Sequence, residues 1–464
     1  MSIPPQTSHQ EHHQIQTSSS PFAPCAEDIL RVRSRRWFLQ TGMAGIGGLS
    51  LASLKQLQAA SAPQNPNQDR KAVILFWLSG GPSQIDMWDP KSMAPAEIRS
   101  PFGNISTKIP GVSFTEHLPL QASIADKLSI IRSVDCKTSN HTPITMQAGN
   151  PLARRTNDGK DGAGYPSMGS VAAKFRGAND PSMPPFIGLA NSWAADVWEA
   201  GNMGREYAPV KGLELAGKFK IPQGFETSRL NDRDELRRKF NTLRSGLDRN
   251  GMMDQFDAHT RNAYEMMLSG KVETAFDLSK ESDETKALYG SDSVGQKALL
   301  ARRLVESGVT FVLVSGAWGY FDHHGDNVRW GGIEKGLKPL IPRVDRAMYA
   351  LVTDLEQRGL LDDTLVMMMG EFGRSPVINK EAGRDHWTNV MSMVMAGGGM
   401  PHGQTIGSTD RRGGAILTSP VRPQDLAATT FKHLGIDLNS HWTDHQGRPT
   451  PIINEGGRPI PELL

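Results

Sequence analysis

Ala72-Val73-Ile74-Leu75-Phe76-Trp77-Leu78 is an unbroken apolar run closed by Ser79-Gly80-Gly81-Pro82. Such a run, without polar alternation, predicts a strand covered on both faces, as in a parallel sheet. Leu128-Ser129-Ile130-Ile131, Val309-Thr310-Phe311-Val312-Leu313-Val314, Thr364 to Met369 and Val390 to Ala396 are further strand candidates of the same kind. Met367-Met368-Met369 reads as strand core rather than a sulfur site. Amphipathic stretches separate these runs. Gln296 to Ser307 carries Ala298, Leu299, Leu300 and Leu304 along one side, and Val344 to Gly359 ends at its glycine. Asp425 to Leu434 predicts a closing helix stopped by Gly435. Helices alternating with buried strands predict a three-layer α/β/α domain around a mostly parallel central sheet. Residues 151–290 are more polar and predict a long insertion of loops and helices.

The chain has 464 residues, 22% of them charged and 38% hydrophobic, which is an ordinary globular balance. Its 51 basic and 49 acidic residues leave a net charge of +2, so no basic field for nucleic acid is expected. No apolar run reaches the ~18 residues that a stable membrane span requires. Residues 1–30 are polar and without periodicity. Ser34-Arg35-Arg36-Trp37-Phe38-Leu39-Gln40 follows, then a mild apolar stretch from Thr41 to Leu54, then Ala60-Ser61-Ala62. This order of basic pair, weak apolar core and small-residue cleavage pattern resembles a twin-arginine export signal. It predicts a removed leader over 1–62, a Pro/Asn/Gln linker over 63–69 and a single domain over 63–464. It also predicts recognition by the twin-arginine translocation machinery and a periplasmic or extracellular location. The mature chain would carry 46 charges of each sign and one of the two cysteines, Cys136, so no internal disulfide is expected.

In open α/β sheets, ligands bind at the carboxyl ends of the strands. The segments at the strand ends are therefore the candidates for chemistry. Ser79 to Asp89 brings Asp86 and Asp89; Cys136 to Thr142 brings Thr138, Ser139, His141 and Thr142. Tyr320-Phe321-Asp322-His323-His324, Gly370-Glu371-Phe372-Gly373-Arg374 and Gly383-Arg384-Asp385-His386-Trp387 complete the set. Carboxylates mixed with imidazoles suit a divalent ion such as zinc or manganese better than calcium, which prefers oxygen alone. One such ion could polarise an oxyanion, and a second could activate the attacking oxygen.

Val344-Asp345 through Gly359-Leu360-Leu361-Asp362-Asp363-Thr364 to Gly370-Glu371 resembles a segment of sulfatases and other alkaline-phosphatase-superfamily enzymes. Gly80 to Asp86, Phe321 to His324, Gly370 to Arg374 and Gly383 to Trp387 resemble the bacterial DUF1501 family, placed in that superfamily. The resemblance implies an alkaline-phosphatase-like core and one or two divalent ions (zinc, manganese, magnesium or calcium). It also implies hydrolysis of sulfate or phosphate esters, small or polysaccharide, through a covalent intermediate. By matching order it implies Asp86 (with Asp89 in reserve), Asp322, His324, Glu371 and His386 as metal ligands. Ser139 is the implied nucleophile, with Thr138 and Thr142 as competitors. Arg374 is a candidate anion anchor, and His141 a ligand, an oxyanion donor or a general acid. Cys136-Lys137-Thr138-Ser139-Asn140 lacks the proline and arginine of the sulfatase C-x-P-S-R signature. That absence favours the alternative of a degenerate member which binds a metal or anion without turnover.

Overall fold

In the computed structural model, which describes residues 70–464 other than 138–139, 154–161, 219–268, 317–318 and 445, every side chain of strand β1 (Ala72–Trp77) is buried. Its two faces feed two cores. Ala72, Ile74 and Phe76 pack into one, and Val73, Leu75 and Trp77 into the other. The expected leader, the linker, Thr138 and Ser139 lie outside the described residues.

The central sheet has eight strands. In chain order these are β1, β2 (Ser129–Val134), β3 (Phe186–Leu189), β4 (Val210–Lys211), β5 (Phe311–Ser315), β6 (Thr364–Met369), β9 (Met391–Gly397) and β10 (Gln404–Ile406), while β7 (Gly373–Arg374) and β8 (His386–Trp387) form a separate hairpin. The spatial order is β10-β2-β9-β6-β1-β5-β3-β4. β1 runs parallel to β5 and β6, β3 runs parallel to β4 and β5, and β10 runs parallel to β2. Only β9 runs against its neighbours, β2 and β6.

Helices cover both faces. On one side lie α3 (Ser293–Glu306) and α4 (Lys338–Gln357), whose Leu299, Leu304, Met348 and Leu351 join the core of Ile74 and Phe76. On the other lie α1 (Ile144–Ala148), α2 (Met168–Phe175) and α5 (Pro423–His433), which share their core with Leu75 and Met367. The result is the expected three-layer α/β/α fold with a mostly parallel sheet. Three helix ends have a clear local cause. The Asp292 side chain accepts the N–H groups of Val294 and Gly295 at the start of α3. Gly359, with φ +67°, and Gly435, with φ +69°, take the left-handed position after α4 and α5.

Two expectations change. Helix α4 begins six residues before Val344, at Lys338: Pro339 falls at its second position, where a missing N–H is tolerated, and Pro342 lies inside the helix, where it forgoes one intrahelical bond. The 151–290 stretch is not all loops and helices: β3 and β4 come from it and extend the sheet beyond β5. The four-residue run Phe186–Leu189 is too short to stand out by periodicity. Among the described residues no helix is long and apolar enough to cross a membrane.

Two measurements check this packing. Leu351 has no exposed surface, so Leu351→Ala is expected to lower unfolding free energy by about 2–5 kcal/mol in urea. A loss under about 1 kcal/mol would contradict the burial. Burial pushes the Asp345 carboxyl up to about 6, against the pull of two backbone N–H donors, Gln121 at 2.8 Å and Leu120 at 3.0 Å. A carboxyl raised on folding favours the native state while it is neutral, below about pH 4, and that contribution is lost as pH rises through its folded value. Asp345→Asn is therefore expected to gain on the parent by about 3 kcal/mol between acid and neutral pH. A stability difference that does not change with pH rejects the shift.

Candidate metal centre

The parallel strands deliver their following loops to one rim. His141 follows β2, Asp322 and His324 follow β5, and Glu371 follows β6. His386 stands on β8, where it pairs across the hairpin with Arg374 on β7. The turn after β1 passes beneath them. Gly80 and Gly81 have φ of +112° and +87°, and a Cβ on Gly80 would lie 2.4 Å from the Asp322 nitrogen. Only glycine lets the two loops approach so closely.

Four side chains meet at this rim. His141, Asp322, His324 and His386 each offer one ligand atom, and the four atoms lie within 4.8 Å of one another. Asp322 Oδ1 is 3.0 Å from His324 Nε2, 3.1 Å from His141 Nε2 and 3.6 Å from His386 Nε2. The two ring nitrogens of His324 and His386 are 2.8 Å apart. A tetrahedral ion with bonds of ~2.0–2.1 Å would hold its ligand atoms roughly 3.3 Å apart. These four separations bracket that value. Three imidazoles and one carboxylate are a donor set for zinc or another first-row divalent ion. The residues present therefore fit a single divalent cation. Among the described residues no second group of this kind occurs.

Electrostatics follow the geometry. Burial would raise the Asp322 carboxyl, but hydrogen bonds from the three imidazoles and Arg374 outweigh it and hold Asp322 far below the usual carboxylate range. Burial would lower His141, yet Asp322 and Glu371 raise it to about 9. Burial lowers His386 and outweighs its bond to Asp322. His323, between two of the four, faces the other way. Its Nδ1 lies 3.0 Å from the Trp330 carbonyl, and burial lowers it to about 4.

Glu371 serves the site differently from its expected role. Its Oε1 lies 3.0 Å from His141 Nδ1, on the side of the ring away from the cluster, and accepts the Gly80 N–H at 2.8 Å. A carboxylate so placed fixes the tautomer that aims the Nε2 lone pair at a metal. Its second oxygen, Oε2, is buried and has no hydrogen-bond partner among the described residues.

Asp86 and Arg374 also depart from expectation. Asp86 stands apart from the cluster: it has no exposed surface, and Arg384 holds both of its oxygens, Nε to Oδ2 at 2.7 Å and Nη2 to Oδ1 at 3.0 Å. Asp89, the reserve, pairs with Lys91 and accepts from Thr409. Arg374 is buried and committed. It donates to the carbonyls of Gly80, Gly81, Phe321 and Arg384 and to Asp322 Oδ1 at 2.7 Å, so among the described residues its bonds go to the protein's own loops. Thr142 is buried, its backbone N–H on the Asn140 carbonyl, and Ser139 lies outside the described residues. Arg384 carried no assigned role in the sequence, although it sits inside the quoted Gly-Arg-Asp-His-Trp run. Asp86→Ala leaves its guanidinium buried and unpaired, so a loss of about 3–5 kcal/mol in urea unfolding is expected. Metal bound per folded chain should stay at the parent level; a matching loss of metal would return Asp86 to the ligand set.

No curated protein matches the chain. Among solved structures it is similar to Ps i-CgsB at 13% identity, covering 80% of this chain and 73% of that one, with a TM-score of 0.36. The PsFucS1 sulfatase from Pseudoalteromonas sp. is 12% identical over 83% of this chain and 71% of its own, with a TM-score of 0.33. The phosphonate monoester hydrolase of Agrobacterium radiobacter is 12% identical over 85% and 77%, with a TM-score of 0.37. The family model for the protein of unknown function DUF1501 matches residues 70–464, and the chain belongs to the DUF1501 family.

Proposed function

We propose that the protein is an exported, metal-dependent hydrolase of sulfate or phosphate esters. The observation that carries this reading is the convergence of His141, Asp322, His324 and His386 at the carboxyl edge of the sheet. A divalent ion held there would supply Lewis acidity toward an ester oxygen. The chain's own residues do the rest. Asp322 is the single anion among the four donors, and Arg374 keeps it ionised. Glu371 holds the His141 Nδ1 proton, so that Nε2 would present a lone pair once a bound ion displaces its proton. Phe372, fully buried, packs its ring 4.3 Å from that of His386 and keeps water from that side of the site. The ester class rests on the sulfatase-like run from Val344 to Glu371, and Ser139, two positions before His141 in the sequence, is the proposed nucleophile ahead of Thr138 and Thr142. Export rests on the Ser34 to Gln40 motif, with the twin-arginine machinery as partner and a small or polysaccharide ester as substrate. The missing C-x-P-S-R signature favours one rival, a chain that binds metal without turnover.

Metal analysis of the purified protein, then assays on p-nitrophenyl phosphate, bis-p-nitrophenyl phosphate and p-nitrophenyl sulfate, test this reading. We expect about one metal per chain from the single four-donor group. Turnover of one ester should be lost with a chelator and restored by the ion. Asp322→Ala and His386→Ala should each weaken metal binding at least tenfold, and Ser139→Ala should abolish turnover with the metal retained. Bound metal with none of the three esters cleaved leaves the rival. Unchanged metal content in both ligand variants sinks the site.

A further inference from the structure

Asp196 lies outside the cation cluster, has no exposed surface, and is held at both oxygens. Ser79 Oγ donates to Oδ1 at 2.6 Å and Ser315 Oγ donates to Oδ2 at 2.9 Å. Ser79 follows β1 and Ser315 ends β5, so one carboxylate fastens the ends of two neighbouring strands. Gln147 Nε2 donates to the Asp196 carbonyl at 2.8 Å, and burial raises the carboxyl to about 6. A carboxylic acid withdrawn this far from water is a costly element unless its placement matters.

What it fastens is the turn beneath the cluster. Ser79 Oγ also accepts the Gly319 N–H at 3.1 Å, and the Ser79 carbonyl accepts the Phe321 N–H at 2.8 Å. One residue on, the Gly80 N–H holds Glu371 Oε1, which holds His141. The Gly80 and Gly81 carbonyls receive Arg374, which also bonds Asp322. We infer that Asp196 is a positioning residue for the cation site, pinning the Ser79-Gly80-Gly81 turn so that Glu371, Arg374 and the Phe321-Asp322 backbone hold His141 and Asp322 in place. This rests on the metal reading above and adds to it a residue that touches no ligand.

Zinc affinity by chelator competition, and amide hydrogen exchange of the metal-free protein, test the inference on the full chain. Asp196→Ala is expected to weaken zinc binding about 10–100-fold, as loss of an outer-shell partner does. It should also speed exchange at Gly80 and Gly81. Asp196→Asn, which keeps an acceptor, should recover part of the affinity. Leu351→Ala, destabilised in the distant core, should keep parent affinity, which separates positioning from general loss of stability. Should Asp196→Ala fail to fold, Ser79→Ala removes one hydroxyl and should shift both readouts the same way. Parent-like affinity and exchange in the Asp196 or Ser79 alanine variant overturn the inference. A parent that takes up neither zinc nor manganese overturns the metal reading and this role with it, while exchange at Gly80 still reports whether the turn is pinned.

Discussion

The rim is organised around one oxygen atom. Asp322 Oδ1 faces three imidazole nitrogens and the Arg374 guanidinium, all within 3.6 Å. An anion with that many donors around it stays ionised, and the imidazoles are drawn to it from the loops after β2 and β5 and from strand β8. The guanidinium then ties this carboxylate to backbone carbonyls of four residues. The loops following β1 and β5 and the hairpin after β6 are therefore joined through a single side chain. A buried charge is tolerated when its hydrogen-bonding capacity is filled, and here the filling also sets the geometry.

The nature of the partner separates structural charges from chemical ones. Asp86 meets Arg384, whose planar fork saturates the carboxylate and cannot lose its proton. Arg302, fully buried, is likewise surrounded by Glu281, Glu306 and Asp354 at 2.5–2.7 Å, knitting α3 to α4. In both groups the carboxylates are matched to guanidinium partners. Asp322 instead meets imidazoles, which can surrender a proton and turn a lone pair inward. That difference explains why an acid expected in the site from its place after the first strand ends up in the scaffold.

The strands were legible because they are covered on both faces. Ala72–Trp77 is apolar throughout and Thr364–Met369 has a polar residue only at its first position, so neither shows the alternation of a half-exposed strand. The loops holding Asp322, His324 and His386 were legible because each borders such a run. His141 was visible as a candidate with its role open, and its ring placement settles only when Glu371 is seen at Nδ1. The pairing of Asp86 with Arg384 joins residues 298 positions apart, which spacing along a chain does not reveal. Asp196 was hidden for a related reason: it sits on a four-residue helix in a stretch without long apolar runs, and its meaning comes from Ser79 and Ser315.

The reversed strand β9 solves a problem of delivery. In a sheet running one way throughout, a residue just ahead of a strand lies at the far edge from one just after it. Because Met391–Gly397 descends from the rim instead of climbing to it, the chain reaches the cluster once after β6 and stays there through the β7–β8 hairpin. Glu371, Arg374 and His386 thus arrive on a single excursion, with no crossover helix between them. Insertions within that excursion, at the exposed residues near Lys380, could lengthen the lip over the centre while leaving the sheet's winding untouched.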